Sequence, residues 1–183
     1  MLKANIYDLN HNDLDELECI KSALRIYTDI NAVDYIDVAK LRLAQSYMSN
    51  RAYKDAESIL VDLLLNETNN QTIRIKANRD YAFLKGTCPD PDYRTSVAYY
   101  EKTADVNNGR VWAYALVQTG NNNKAKQITD MLAQIDTSGT AYYWQYAIAK
   151  AQGRETESLV FFEKFSDANN EEVVKVLKQS VST

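Results

Sequence analysis

Glycine and proline are scarce in this 183-residue chain, with five and two residues respectively. Tight turns and strand-rich folds use both residues heavily, so their scarcity argues against an all-β fold and against a glycine-rich phosphate-binding loop. The two cysteines, Cys19 and Cys88, are far apart in the sequence and form no CxxC pair. We therefore expect two free thiols, with neither a disulfide framework nor a zinc site.

Basic residues are outnumbered as well, since 21 Lys and Arg stand against 25 Asp and Glu for a formal net charge of −4. Nucleic-acid binding needs clustered cations to neutralise phosphates, so we expect no nucleic-acid partner. The most apolar stretch, residues 59–65, is interrupted by Asp62 and is too short to span a bilayer. The first residues lack the apolar core of a secretory leader. These features predict a cytoplasmic chain with no membrane partner.

Catalytic residue sets are missing too. His11 is the one histidine, and no Ser-His-Asp, Cys-His or HExxH arrangement can be assembled around it. Asp90 and Asp92 flank Pro91, but two carboxylates fall short of the roughly six oxygen ligands that a hard cation takes. The sequence therefore predicts a protein that is not an enzyme and holds no cofactor or metal.

What the sequence does contain is helical periodicity along nearly its whole length. Apolar residues recur every three or four positions, as in Leu14, Leu17, Ile20, Leu24 and Tyr27, or in Ile73, Ala77, Tyr81 and Leu84. Short Asn-rich and Gly-rich breaks separate these segments, and no run of strict alternation competes with them. The fold class predicted is all-α, built from short antiparallel helices.

An internal period follows from the breaks. Gly86, Gly120 and Gly153 lie 34 and 33 residues apart, and each is expected to close one helix before the next begins, with Arg51 in the equivalent turn of an earlier unit. The second helix of each unit has a small residue where two helices must approach closely. These small residues are Ala56, Ser96, Ala125 and Ser158.

The pattern resembles the tetratricopeptide repeat (TPR) family and its Sel1-like relatives. The residues on which the resemblance rests are Leu43, Ala44, Tyr47, Tyr53, Ala56, Leu60 and Leu63 in the best unit, Trp112, Ala113, Leu116, Gly120, Ala125 and Leu132 in another, and the Sel1-like stretch 97–104. The resemblance implies an α-α superhelix, a solenoid of antiparallel helical hairpins forming a single domain over 1–183. A capping helix over 13–30, four hairpins over about 37–168 and a second cap over 170–181 are expected.

In this family the first helix of each pair lines a concave groove, which implies a set of partner-binding residues. Carried onto this chain, they are Leu41, Gln45 and Met48, then Ile75, Arg79 and Ala82, then Arg110, Tyr114 and Val117, then Tyr143, Ala147 and Lys150. Such a lining suits a peptide with apolar anchors and some acidic groups. The family's carboxylate clamp uses Lys and Asn where this chain has Leu41 and Gln45, so capture of a chaperone's C-terminal peptide is not supported.

We therefore expect a non-catalytic protein–protein interaction module, or adaptor, that binds a partner protein or peptide in its groove. One alternative is a secretion-type chaperone built from such repeats. Another is a structural subunit that forms a homo-oligomer through its tyrosine-rich surface, since the chain has 13 tyrosines. The bases Arg74, Lys76 and Arg79 on one helix are interpreted as a solvated face.

Overall fold

The computed structural model describes residues 13–65, 70–103, 109–135 and 139–168, and over these residues it is helical without a strand. In chain order the helices are α1 (Asp13–Asp29), α2 (Val33–Ser49), α3 (Tyr53–Leu65), α4 (Gln71–Thr87), α5 (Tyr93–Thr103), α6 (Gly109–Gln118), α7 (Asn122–Ile135), α8 (Gly139–Ala151) and α9 (Glu155–Ala168). The chain divides into two compact units, Met1–Ala104 and Asp105–Thr183.

Helices that follow one another pack together within each unit, as expected for hairpins. In the first unit α1 packs on α2, α2 on α3, α3 on α4 and α4 on α5, while α2 also contacts α4. In the second unit α6 packs on α7 and on α8, and α8 packs on α9. The predicted all-α class, built from helical hairpins, is thereby confirmed over the described residues. The single domain and the capping roles stay predictions, and the second cap, 170–181, lies outside the described residues.

The small positions of the second helices are buried in all four hairpins. Ala56, Ser96 and Ala125 have no exposed surface, and Ser158 is nearly as deep. The Ser96 hydroxyl donates to the Ala82 carbonyl oxygen at 2.8 Å, so this buried hydroxyl is paired across the α4–α5 contact. Around Ala56, the first unit's core is filled by Leu60 and other apolar side chains of α2, α3 and α4.

The turns between helices repeat one hydrogen-bonded design. At Gly120 φ is 84°, its N–H donates to the Val117 carbonyl oxygen at 2.9 Å, and the Asn121 N–H donates to Leu116 at 2.8 Å. This pair of bonds is the Schellman motif, which satisfies helix carbonyls and needs a left-handed residue. The same pair of bonds occurs at Asn31, Arg51 and Gly153. Arg51 is therefore equivalent to Gly120, as predicted.

Gly86 does not belong to this set, and the prediction that it closes a helix is wrong. The helix α4 continues through Thr87, and among the described glycines positive φ occurs at Gly120 and Gly153. In the buried pairs Leu43-Ala44 and Trp112-Ala113 a large residue precedes a small one, and the small residue lies seven positions before the turn residue. In α4 the matching buried pair is Tyr81-Ala82. The turn position of the second repeat is therefore Pro89, in an extended loop, and not Gly86.

Candidate functional site

The predicted groove residues of the first repeat meet α4 of the second. Leu41 is buried in the core, so its role is packing, whereas Gln45 and Met48 are partly exposed. The Gln45 side-chain amide donates to Asp80 Oδ2 at 2.7 Å. Asp80 is buried, and Nε and Nη2 of Arg79 both donate to its Oδ1 at 3.1 Å. This network fixes the Arg79 guanidinium at the α2–α4 contact.

The change of register in the second repeat alters which side chains correspond to one another. Ala82 is buried against α5, and Ile75 is part of an open cleft of about 540 Å³ that is also lined by Arg74, Tyr99 and Lys102. With Tyr81-Ala82 as the large-small pair, Arg79 corresponds to Leu41 and Phe83 to Gln45. The groove residues expected for this repeat, Ile75 and Arg79, therefore lie one helical turn before the positions that correspond to Leu41 and Gln45.

In the second unit several of the predicted residues lie among aromatic rings of α6 and α8. Tyr114 contacts Trp144 edge-on with ring centroids 5.9 Å apart, and Tyr143 contacts Trp144 at 5.8 Å. All three side chains are partly exposed. Val117 is buried, so its role is packing in the core of the unit. We call Arg110, Tyr114, Tyr143 and Trp144 the aromatic patch.

Arg110 lies one turn before Tyr114 and therefore on the same side of α6. It is partly buried, and this loss of solvent lowers the pKa of its guanidinium, which as an arginine stays charged. A partly desolvated guanidinium attracts a carboxylate more strongly than one in open solvent.

The last predicted residues lie towards the end of α8. Ala147 is partly exposed, and Lys150 is exposed with its ammonium over the Tyr146 ring at 5.6 Å. The Lys150 ammonium also donates to the Tyr146 hydroxyl at 3.2 Å. Tyr146 in turn contacts Phe162 of α9 at 5.4 Å between centroids. Lys150 is thus part of a mixed cationic and aromatic surface.

Two residues of the candidate site were missed from the sequence. Trp144 was seen only as one member of an aromatic run, and the offset rule pointed to its neighbour Tyr143. Its role depends on Tyr114, thirty residues earlier, and no local pattern shows that contact. Asp80 has no sequence signal beyond its place in a helix, because its burial arises from α2 packing on α4.

The described residues offer no obvious metal chemistry. Among them, no group of three or more His, Cys, Asp or Glu side chains is placed to hold a metal ion. No helix in the described ranges is both long and apolar enough to cross a bilayer. His11 lies outside those ranges. What the patches above can do chemically is donate hydrogen bonds, pair with charges and bury apolar surface.

Comparison with solved structures agrees with this architecture. The chain is similar to a crystal structure from Podospora anserina, described as a candidate kinesin light chain with nearly identical TPR-like repeats. The two share 14% sequence identity with a TM-score of 0.67, over 90% of each chain. At this identity the likeness concerns the fold, so the resemblance to TPR-like helical repeats is confirmed at that level. No protein-family model and no curated protein sequence matches the chain.

Proposed function

We propose that this chain is a non-catalytic adaptor that holds a peptide segment of a partner protein against the first helices of its hairpins. The observation that supports the proposal best is the contact of Tyr114 with Trp144, which joins α6 to α8 while leaving both rings partly exposed. Tyr, Trp and Arg dominate the energetics of protein interfaces, and the aromatic patch combines all three.

The chemistry of the patch defines the peptide that it fits. The rings offer flat apolar area at a low cost in conformational entropy, and Arg110 adds a partly buried positive charge. We therefore infer a segment with an aromatic or large aliphatic residue and a carboxylate within one or two residues of it. A protein is favoured over a nucleic acid as partner, because the formal charge of −4 opposes phosphate binding.

We also propose the cytoplasm as the location of the adaptor. Cys19 and Cys88 are both free and both partly exposed. Exposed unpaired thiols are typical of reducing compartments. Subcellular fractionation of the native cell, with antibodies against the chain, checks this location.

The binding proposal is tested with a displayed library of random peptides of about twelve residues, selected on the full chain. The chain has two tryptophans, so a Trp112→Phe background leaves Trp144 as the single tryptophan whose emission is followed. We expect enriched peptides to shift the Trp144 emission. Tyr114→Ala should weaken their binding about tenfold or more, which corresponds to roughly 1.4 kcal/mol.

The matched control is Leu159→Ala, an exposed apolar residue on α9 of the same unit. It should bind the selected peptides as the unchanged chain does, and circular dichroism should show that every variant is folded. Enriched peptides that leave Trp144 unaffected, or that bind the Tyr114→Ala variant equally well, would contradict the proposed site.

A further inference from the structure

An exposed apolar surface surrounds the turn that joins α1 to α2. Five large side chains there are 36–67% exposed, namely Ile26, Ile30, Val33, Tyr35 and Val38. We call these residues the turn patch. So many exposed apolar side chains in one short stretch indicate a surface that another molecule covers.

Ile26 and Val38 of the turn patch lie on the side of the α1–α2 hairpin that faces away from α3. Leu17 of α1 and Tyr47 of α2 pack on the same small cluster as Ile59 of α3. Ile26 is nine residues after Leu17, and Val38 is nine residues before Tyr47. Nine residues are about two and a half helical turns, so each of these side chains projects opposite to its partner.

Two further contacts make this surface continuous. Ile30 follows Ile26 by one helical turn, and therefore extends the same side of the chain towards the turn. The rings of Tyr27 and Tyr35 are stacked with centroids 5.3 Å apart, which ties the end of α1 to the start of α2. The apolar side chains of the two helices thus meet at one end of the hairpin.

The rim of the turn patch is acidic. Asp29 and Asp34 are exposed within the same stretch, and Asp37 is partly exposed. The one basic residue of residues 25–38 is the exposed Arg25, so three carboxylates stand against one guanidinium. Two basic side chains of α2 are engaged by other carboxylates, since Lys40 pairs with Asp62 at 2.5 Å and Arg42 with Glu16 at 2.6 Å. The surface therefore combines an apolar centre with negative charge around it.

We propose that the turn patch binds a basic amphipathic helix of a partner protein, at a site separate from the aromatic patch. Apolar residues of that helix at every third or fourth position would cover Ile26, Ile30 and Val38. Lysine or arginine residues beside them would meet the carboxylates of the rim.

A second copy of this chain fits the turn patch less well. Symmetric packing of the patch on itself would bring Asp29 and Asp34 of both copies to one interface, and like charges oppose such a contact. The same carboxylates oppose docking on an anionic lipid surface. A basic segment is the occupant that both the apolar centre and the charged rim favour.

Two synthetic helical peptides of about 16 residues, roughly four turns, provide the probe. They share one leucine face and differ only in having lysine or glutamate at every polar position. Fluorescence anisotropy with the full chain should show the lysine peptide binding about tenfold more tightly than the glutamate peptide. Changing Ile30→Ser and Val38→Ser together should weaken the lysine peptide by about tenfold. Asp29→Lys should narrow the preference between the two peptides.

Matched controls separate this site from the general attraction of a basic peptide to an acidic chain. Leu159→Ser removes an exposed apolar residue and Glu163→Lys reverses an exposed charge, both on α9. Leu159→Ser should not weaken binding of the lysine peptide as the double serine substitution does. Glu163→Lys should not reduce the preference for the lysine peptide as Asp29→Lys does. Equal effects of Glu163→Lys and Asp29→Lys, or unchanged binding after the double serine substitution, would overturn the proposal. So would light scattering that shows a dimer of the unchanged chain that the double serine variant dissociates.

Discussion

The two compact units are built from the same hairpin, but the first adds ion pairs between helices to ring contacts such as Tyr27 with Tyr35, whereas ring contacts join the described helices of the second. In the first unit charged side chains reach from one helix to the next, as in Arg42–Glu16 between α2 and α1 and Lys85–Glu57 between α4 and α3, at 2.6 and 2.5 Å. The hydrogen bond to Glu57 raises the pKa of Lys85. Gln45 and Arg79 add a second polar contact around the buried Asp80.

In the second unit aromatic rings make the corresponding contacts. Tyr114 meets Trp144 between α6 and α8, and Tyr143 meets Phe165 of α9 with centroids 5.7 Å apart. Two ion pairs of this unit, Lys126–Asp130 and Arg154–Glu157, join residues only three or four positions apart.

The difference shows that the hairpin repeat specifies helix packing without specifying the chemistry between neighbouring helices. Small residues at fixed positions set how closely two helices approach. The side chains that span adjacent helices are free to be charged pairs or rings. Salt weakens the stabilisation from charged contacts, whereas the stabilisation from ring contacts is lost mainly when a ring is truncated and a cavity remains. The predictions below use this contrast.

The largest effect is expected for Phe165→Ala in the second unit. Phe165 is buried against Tyr143, so its truncation leaves a cavity and should cost about 3–5 kcal/mol of unfolding free energy. Both tryptophans of the chain lie in this unit, so urea unfolding followed by tryptophan fluorescence reports on it. The cost should be nearly the same at low and high salt.

Leu159→Ala on the same helix is the control, because Leu159 is exposed and should change the unfolding free energy by about 0.5 kcal/mol at most. A cost for Phe165→Ala as small as that of the control would show that the rings do not stabilise this unit.

A smaller effect is expected for Asp80→Ala in the first unit. The change removes the buried carboxylate that accepts hydrogen bonds from Gln45 and Arg79, and should cost about 2–3 kcal/mol. Far-UV circular dichroism during urea unfolding measures it. Asp80→Asn keeps the shape and one acceptor oxygen, so it should cost less than Asp80→Ala. Equal stability of Asp80→Ala and the unchanged chain would refute the polar contact.

The smallest effect compares the same turn in both units. Arg51 and Gly120 are equivalent left-handed residues, with φ of 58° and 84°. Arg51→Gly should relieve strain and stabilise the chain by up to about 1 kcal/mol. Gly120→Ala should destabilise it by about 1 kcal/mol for conformational reasons, since nothing lies within 4 Å of the added Cβ. Thermal unfolding of the two variants gives the sign of each change, and a shift of both in the same direction would contradict the assignment.

Much of the architecture was predictable because it depends on local patterns. Helical periodicity predicted the helices, and the small positions such as Ala56 and Ser158 were found buried as expected. The Schellman turn at Arg51 was found by its spacing, although arginine is not typical of that conformation. These features depend on residues that are close in sequence or repeated at a regular interval.

The predictions failed where a residue type was taken as a marker of conformation. Gly86 was expected to close a helix, but it lies within the last turn of α4. The repeat positions predicted for α4 were therefore displaced from those that the structure shows. The turn patch was not predicted, because the exposure of apolar side chains near the α1–α2 turn depends on how these two helices pack. The contact of Tyr114 with Trp144 depends on how α6 packs on α8, which neither local sequence reveals.

The extended loop after α4 has a practical use. The Asp92 N–H donates to the Lys85 carbonyl oxygen at 2.9 Å, and the Asp92 carboxylate accepts from the Thr95 N–H at 3.0 Å, so both helix ends are held. Pro89 and Asp90 between them are exposed. Foreign residues grafted at this corner would leave the helix contacts intact, which makes it a handle for attaching a dye or an affinity tag when binding proteins are sought.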